Sequence, residues 1–206
     1  MDDCHPSSDK LVFLSRGGSL FEFNSSKSKE FYDYWQNLPR NGLIPCRSSF
    51  MPEQVPSLLP NFIIYEMISK DYIKVRLLGS ALSDKFGDDR AGENYLDFIE
   101  GPRKEIASEA LWAVVNKPCG IRVVLKQVLK NGLTVCLESV GLPLLSEDGG
   151  NPLILFQKNE LDCEKGVPEE GYDPLRYYQL VQRDFIDIGA GLSGLEDLVF
   201  QGDASV

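Results

Sequence analysis

The sequence predicts an α+β fold, with two strands, a block of short helices, one longer helix and three more strands. Three observations carry that reading. Two apolar runs, 61–69 and 72–80, open the segment and alternate at period two, the spacing of a strand with an apolar face. A stretch punctuated by Gly79, Gly87, Gly92 and Gly101 follows and leads into a helix-like segment at 102–116. Three further apolar runs, 120–130, 133–145 and 152–161, close the segment.

The elements follow in chain order. Residues 1–10 are polar. Residues 11–14 and 19–23 read as two short strands around the turn Arg16-Gly17-Gly18. Ser25, Ser26 and Ser28 offer N-caps for a helix that reaches Leu38 and is ended by Pro39. On it Phe31, Tyr34, Trp35 and Leu38 share one face, opposite Lys29, Asp33 and Gln36. Burying Phe31, Trp35 and Leu38 stabilises by roughly 1.5–3 kcal/mol each. The simpler use of this face is to cover its own domain. The other use is a homodimer interface of Phe31, Tyr34, Trp35 and Leu38, and the size of the aromatic face is the motive for expecting a homodimer.

Residues 42–60 form a Pro-rich connection with one short helical turn near 53–59. In the first strand Phe62, Ile64 and Glu66 alternate with Ile63, Tyr65 and Met67; in the second Ile73, Val75 and Leu77 alternate with Lys74, Arg76 and Leu78. Lys70-Asp71 is the turn between them. Residues 81–101 break into short helical pieces. Pro102 suits the first position of the longer helix, where Ile106, Ala110, Ala113 and Val114 form a stripe with Leu111 and Trp112 beside it. Ile121, Val123, Leu125 and Gln127 return to period two. Asn131-Gly132 is the strongest hairpin signal, because both residues tolerate the positive φ of a type I′ turn. Leu133, Val135 and Leu137 resume the period, and 146–151 turn into a last strand at 152–161. Residues 162–171 are a charged linker, 177–183 are one more strand or a short helix, and 185–194 are Gly-rich.

Composition removes several function classes. The 206 residues carry a net charge of −10, with a pI of about 4.7, and no Lys/Arg cluster. Such a surface repels phosphate backbones, so nucleic acid is not an expected partner. No apolar run reaches the ~20 residues of a membrane helix. Residues 1–10 lack the apolar region of a signal peptide, which gives a cytoplasmic expectation. Cys4, Cys46, Cys119, Cys136 and Cys163 match no zinc spacing and read as thiols, Cys136 as a small core residue. The single histidine, His5, lies in the N-terminal arm, which removes Ser-His-Asp chemistry, most zinc sites and most His-ligated haem from the folded domain. No cofactor is expected, whether haem, flavin or metal.

The glycine pairs read as turns. Gly189-Ala190-Gly191-Leu192-Ser193-Gly194 matches GxGxxG in form but has no room for a βαβ unit. Asp84, Asp88, Asp89, Glu93 and Asp97 have no EF-hand spacing and read as a solvated face.

Residues 31–35, Gly42-Leu43-Ile44-Pro45-Cys46-Arg47-Ser48-Ser49-Phe50 with Pro52, Val75-Arg76-Leu77-Leu78-Gly79-Ser80, residues 87–92 and Leu142-Pro143-Leu144 occur in an order that resembles a bacterial family of small PAS proteins. Many of its members carry a single PAS domain and no output domain. The tail Phe185-Ile186-Asp187-Ile188-Gly189-Ala190-Gly191 is also similar to that family. The charged block of Ser83-Asp84-Lys85 and Asp88-Asp89 departs from it. The resemblance covers 31–161. It implies a PAS-like five-stranded antiparallel sheet with short helices on one face and the N-terminal helix outside. The units it suggests are an arm at 1–24, the helix and connection at 25–60, the PAS core at 61–161 and an extension at 162–206.

It also implies a non-catalytic sensor or interaction module in cytoplasmic bacterial signalling, acting through a signalling partner and a small ligand between sheet and short helices. Flavin-binding relatives hold a Cys within an Asn-Cys-Arg-Phe-Leu-type motif that is missing here. The expected lining is Leu77, Phe86, Tyr95, Phe98, Trp112, Val123 and Leu137, with Arg76 as polar anchor. Arg47 and Arg90 are the other arginines of interest. The competing reading of Arg76 is an internal ion pair with Glu66 on the neighbouring strand. A structural adaptor with a filled core, or an enzyme with an unrecognised site, are the alternatives in function.

Overall fold

Residues Phe62 to Tyr65 are all buried, so this strand is covered on both faces rather than one. That fact organises the molecule. The structure, a computed structural model, describes residues 13–14, 22–86, 89–99, 101–128, 134–161 and 178–201. Its strands are β1 Phe13–Leu14, β2 Phe62–Ser69, β3 Tyr72–Leu78, β4 Cys119–Val128, β5 Thr134–Leu144, β6 Leu153–Leu161, β7 Tyr178–Asp187 and β8 Phe200–Gln201. Its helices are α1 Ser26–Gln36, α2 Ser80–Phe86 and α3 Arg103–Asn116. The strands form one antiparallel sheet in the order β1-β7-β4-β5-β6-β2-β3, with β8 on β7.

Five of these strands, β2 to β6, are the expected ones. The sheet is nevertheless wider than five strands. Of the segment 177–183, open between strand and helix in the sequence, the described residues 178–183 are part of β7, which pairs along β4 from Cys119↔Asp187 to Gln127↔Tyr178. The turns at Arg16-Gly17-Gly18 and Asn131-Gly132 lie outside the described residues, and Glu22 and Phe23 form no strand.

Two cores sandwich the sheet. On one face α2, α3 and the 3-10 turn Tyr95–Phe98 cover Ile63, Tyr65, Met67, Ile73, Ile154 and Phe156. Leu195 and Val199, from the C-terminal segment, join this core. Gly141 leaves room for the Phe156 ring, since a Cβ there would stand 2.4 Å from its Cζ. Gly79 allows the turn into α2, because a Cβ would stand 2.4 Å from the Pro60 carbonyl oxygen. In α3 the stripe differs from expectation. Ala110 and Val114 are buried with Leu111 and Ser108, while Ile106 faces solvent. Ser108 Oγ donates to the Lys70 carbonyl at 2.5 Å, which turns the helix toward the β2–β3 hairpin.

On the other face α1 docks directly. Phe31 and Trp35 are fully buried and Leu38 is 5% exposed, all packed on Phe62, Ile64, Val140, Leu142 and Leu153. Trp35 Nε1 donates to the Pro143 carbonyl at 3.0 Å. The helix is thus not outside the sheet but its second cover. This corrects the dimer expectation for Phe31, Tyr34, Trp35 and Leu38: the first, third and fourth are buried in their own domain, and the half-buried Tyr34 packs edge-on against Phe50. The connection 42–60 lies beside α1 as three single 3-10 turns, Arg47–Ser49, Pro52–Gln54 and Leu59–Asn61, rather than one.

At its N-terminal end the α1 interface turns polar. Ser28 Oγ accepts from Asn159 Nδ2 at 2.9 Å, and Asn159 Oδ1 accepts from Gln157 Nε2 at 2.9 Å. Beside them Arg122 of β4 joins Glu138 of β5 (Nε–Oε1 2.6 Å) and Asp184 of β7 (Nη1–Oδ2 2.9 Å), with all three side chains out of solvent. The backbone N–H groups of Asn24 and Ser25, which lead into α1, donate to the Glu138 carboxylate at 2.9 and 3.0 Å. One buried cluster therefore ties the helix entry, the central strands and the added strand β7. Burial pushes the Asp184 carboxyl above its usual value, against the opposing effects of Gln182 and Arg122.

Candidate functional site

The helix face holds a cavity of about 60 Å³ between β2, β3, β4, β6 and the segment 89–99. Its position follows from how that segment is held. Asn94 caps the turn Tyr95–Phe98, its Oδ1 accepting from Leu96 N at 3.2 Å and from Ile73 N at 3.0 Å. Asn94 Nδ2 donates to the Asp71 carbonyl at 2.9 Å. Val75 N donates to the Glu93 carbonyl and Gly92 N to the Val75 carbonyl, at 2.9 and 2.7 Å. The free edge of β3 is thereby closed by the chain itself, as an edge strand requires. Tyr95 and Phe98 are left facing the sheet.

The lining is Ile63, Tyr65, Val75, Leu78, Arg90, Tyr95, Phe98, Leu125, Gln127 and Lys158. The Tyr65 and Tyr95 rings lie 4.7 Å apart, and Tyr65 meets Phe156 at 5.3 Å. The Arg90 guanidinium lies 3.9 Å above the centre of the Phe98 ring. Lys158 points inward because it continues the alternation of Ile154 and Phe156 on β6. Burial, and after it the charge of Arg90, lowers its pKa to about 8. Burial, and after it Tyr95, raises the Tyr65 hydroxyl well above its ordinary value. The site is apolar over most of its wall, with two cations, one amide and two phenols converging on it.

The structure brings together two of the eight sequence-predicted ligand residues, Tyr95 and Phe98. Leu77 is 42% exposed and Arg76 faces solvent, 3.9 Å from Glu66 Oε2. A β-bulge is the reason. Leu77 pairs with Ile64, but Val75 pairs with Tyr65, so Arg76 is an extra residue on β3. The insertion breaks the alternation, turns Leu77 outward and gives its inward place to Leu78. The sequence-stated alternative, an Arg76–Glu66 ion pair, is the arrangement found. Trp112 packs on the helix-face core away from the cavity, its Nε1 donating to the Ser69 carbonyl at 3.2 Å. Val123 and Leu137 face the same layer elsewhere and do not line the cavity. The Phe86 side chain lies outside the described residues.

Reasoning from sequence missed Lys158, Gln127, Leu125 and Leu78 as lining residues. Period two carried from Ile154 through Phe156 was the available signal for Lys158. The remaining sites of interest resolve as structure. Arg47 lies 5.2 Å from the Phe50 ring centre. Burial pushes the Cys119 thiol up to about 12, which makes it an unreactive core group at neutral pH. Asp187 Oδ1 accepts from Gly189 N and Gly191 N at 2.8 and 3.0 Å, so the GxGxxG segment is a turn with its own anion already supplied. A second groove, about 690 Å³ and open to solvent, runs along residues 39–49 with Pro118 and Leu145. Arg40 in its wall is held by the carbonyls of Leu38, Leu43 and Trp35.

Among the described residues no helix is long and apolar enough to cross a membrane, and no group of three or more metal-ligating side chains occurs.

Comparison with known proteins adds the following. A family model described as PAS domain matches residues 23–156, well over half of the chain. No curated protein matches. A light-oxygen-voltage domain studied with a flavin analogue is 16% identical, with a TM-score of 0.41, and the match covers 53% of this chain and 83% of that one. The light-state structure of the blue-light photoreceptor Aureochrome1 LOV is 16% identical at TM-score 0.38, covering 55% and 90%. The Vibrio cholerae VqmA dimer, seen without its target DNA, is 15% identical at TM-score 0.38, covering 55% and 52%.

Proposed function

As the chain belongs to the PAS-domain family, we propose that it is a non-catalytic sensor module of cytoplasmic bacterial signalling, which reads a small ligand in the cavity under residues 89–99 and passes the change to a signalling partner. The observation that supports this most is the construction of the cavity. A short segment, residues 89–99 with the 3-10 turn Tyr95–Phe98, lies over the sheet and carries three of the lining groups, Arg90 ahead of the turn and Tyr95 and Phe98 on it. A ligand that prefers the closed arrangement shifts the module only by its differential affinity for the two. Arg76 has no part in this reading.

The fold offers an outlet for such a shift. β2, which lines the cavity, is sheet neighbour to β6, and β6 carries Asn159, which holds Ser28 at the entry to α1. Self-association belongs to the proposal through another surface than the α1 face. Ile68, Tyr72 and Leu77 stand 40, 37 and 42% exposed along the β2–β3 edge.

Native mass spectrometry of protein purified under non-denaturing conditions reads ligand and oligomer together. The expected result is a small-molecule adduct that Leu78→Trp, which fills the cavity, eliminates and Arg76→Ala retains, on a dimeric mass. Protein without adduct, whose amide exchange over 89–99 is unmoved by a panel of small metabolites, overturns the ligand half. A single-subunit mass at all concentrations overturns the self-association half.

A further inference from the structure

We propose that the groove along residues 39–49 docks an extended acidic segment of a partner protein, with a carboxylate of that segment on Arg40 and its apolar side chains on Leu43 and Leu145. The inference rests on the reading of the chain as a module that acts through a protein partner, and adds where that partner docks and what chemistry it presents.

Charge carries the inference first. The chain holds 31 Asp and Glu against 21 Lys and Arg, yet none of the residues that line this groove is acidic. Arg40 stands in the wall, and three of its N–H groups go to the carbonyls of Leu38, Leu43 and Trp35, all neutral acceptors. Its guanidinium lies 4.3 Å from the centre of the Trp35 ring, which fixes its place. Among the described residues Arg40 is in no ion pair. A guanidinium has five N–H donors, so two remain for an incoming carboxylate. That carboxylate would supply the charge-assisted contact that the carbonyls do not. Arg47 and Lys117 add to the local charge, since their chain neighbours Cys46, Ser48 and Pro118 line the groove. Their acceptors are neutral too: the Phe50 carbonyl at 3.4 Å for Arg47 and Ser193 Oγ at 3.2 Å for Lys117.

The shape points to a chain rather than an enclosed small molecule. The groove measures about 690 Å³ and is open to solvent, whereas a small-molecule site buries most of its ligand. Leu43 and Leu145 stand 41 and 46% exposed in its wall. The backbone N–H groups of Asn41, Gly42, Leu43 and Ile44 donate to no acceptor among the described residues, so an extended chain beside them meets donors for its carbonyls. The groove is also preformed. Arg47 N donates to the Leu145 carbonyl at 2.8 Å and Leu145 N to the Pro45 carbonyl at 2.9 Å, which fixes the wall against the end of β5. A second copy of the chain suits the groove less well, because a two-fold contact through this patch brings the same cations of both copies together.

The test is amide NMR of the full chain during titration with the peptide acetyl-Glu-Leu-Glu-Leu-Glu-Leu-amide, and with the same peptide carrying Gln or Lys in place of each Glu. The Glu peptide should shift the amides of Gly42, Leu43, Cys46 and Leu145. The Gln peptide should bind about tenfold more weakly, and the Lys peptide should leave these amides unmoved. Arg40→Gln should bring the Glu peptide down to the level of the Gln peptide. Leu145→Asp places a carboxylate on an exposed part of the wall and should abolish binding; it keeps the test alive should Arg40→Gln not fold. Equal binding of the Glu and Gln peptides, or a preference for the Lys peptide, overturns the acidic class and with it the proposal. Shifts that neither variant alters place the peptide elsewhere and also overturn it. Shifts of the same amides with protein concentration alone make the groove a contact between copies, which overturns it too. Silence toward all three peptides overturns the inference and leaves the sensor reading standing, since the adduct measured by native mass spectrometry decides that separately.

Discussion

Replacing Arg122 by Met should destabilise the fold by about 3–5 kcal/mol at neutral pH, the cost typical of breaking a buried ion pair from one side. The structure sets both the size and the source of that loss. Arg122, Glu138 and Asp184 are 0–1% exposed at their side chains, so neither carboxylate can turn to water for compensation. Glu138 keeps the Asn24 and Ser25 N–H groups and is the less affected partner. Asp184 keeps only the Gln182 amide at 3.1 Å, and most of the penalty falls there.

The pH dependence follows. Asp184 already titrates above its usual value because of burial, and Arg122 is one of the groups that hold it down. A raised carboxyl binds its proton more tightly folded than unfolded. Its contribution to stability is therefore complete below the unfolded pKa and is lost as pH rises through the folded one. Removing Arg122 widens that gap, so the deficit of the variant should grow as pH rises from about 4 to 7 and shrink in acid. Urea unfolding of both proteins, read by the fluorescence of Trp35 and Trp112 at several pH values, measures it. In a thermal melt the same loss is a midpoint lower by roughly 6–20 °C for a chain of this length. A variant within about 1 kcal/mol of wild type at neutral pH, or one whose deficit is larger in acid, would refute the reasoning.

Two further outcomes are expected. Phe31→Asp combined with Trp35→Asp should not yield a folded protein, since losing each buried aromatic costs about 3–5 kcal/mol before any charge is buried, against a usual total of roughly 5–15; a dispersed amide spectrum from that variant would contradict the docking of α1. Gly141→Ala should cost about 1–3 kcal/mol by driving a methyl into the Phe156 ring. Phe156→Leu in the same background should recover part of that cost, and strictly additive losses would show that the two positions do not meet.

The sequence by itself determined the order and type of the elements. Period two at Ile73 and Val75, and again at Ile121, Val123 and Leu125, marks strands because alternate side chains of a pleated chain leave opposite faces. The helical spacing of Phe31, Trp35 and Leu38 marks α1 and its apolar face for the same kind of reason. Such patterns report that a face is apolar, not what covers it. Only the tertiary structure decided that the α1 face is used inside the domain, and that β7 widens the sheet along β4.

The candidate site was legible in part for a related reason. Tyr95 and Phe98 lie on the expected layer, but one inserted residue at Arg76 reversed the faces of everything after it on β3. A bulge of that kind depends on the partner strand, and no local pattern announces it. Lys158 and Arg122 are not among the residues singled out from the sequence. Their roles come from groups far along the chain. Glu138 is 16 residues from Arg122 and Asp184 is 62, so pairing them requires the register of β4 against both β5 and β7. A charge is affordable in the interior only once such partners are brought to it, and that meeting is a property of the assembled sheet.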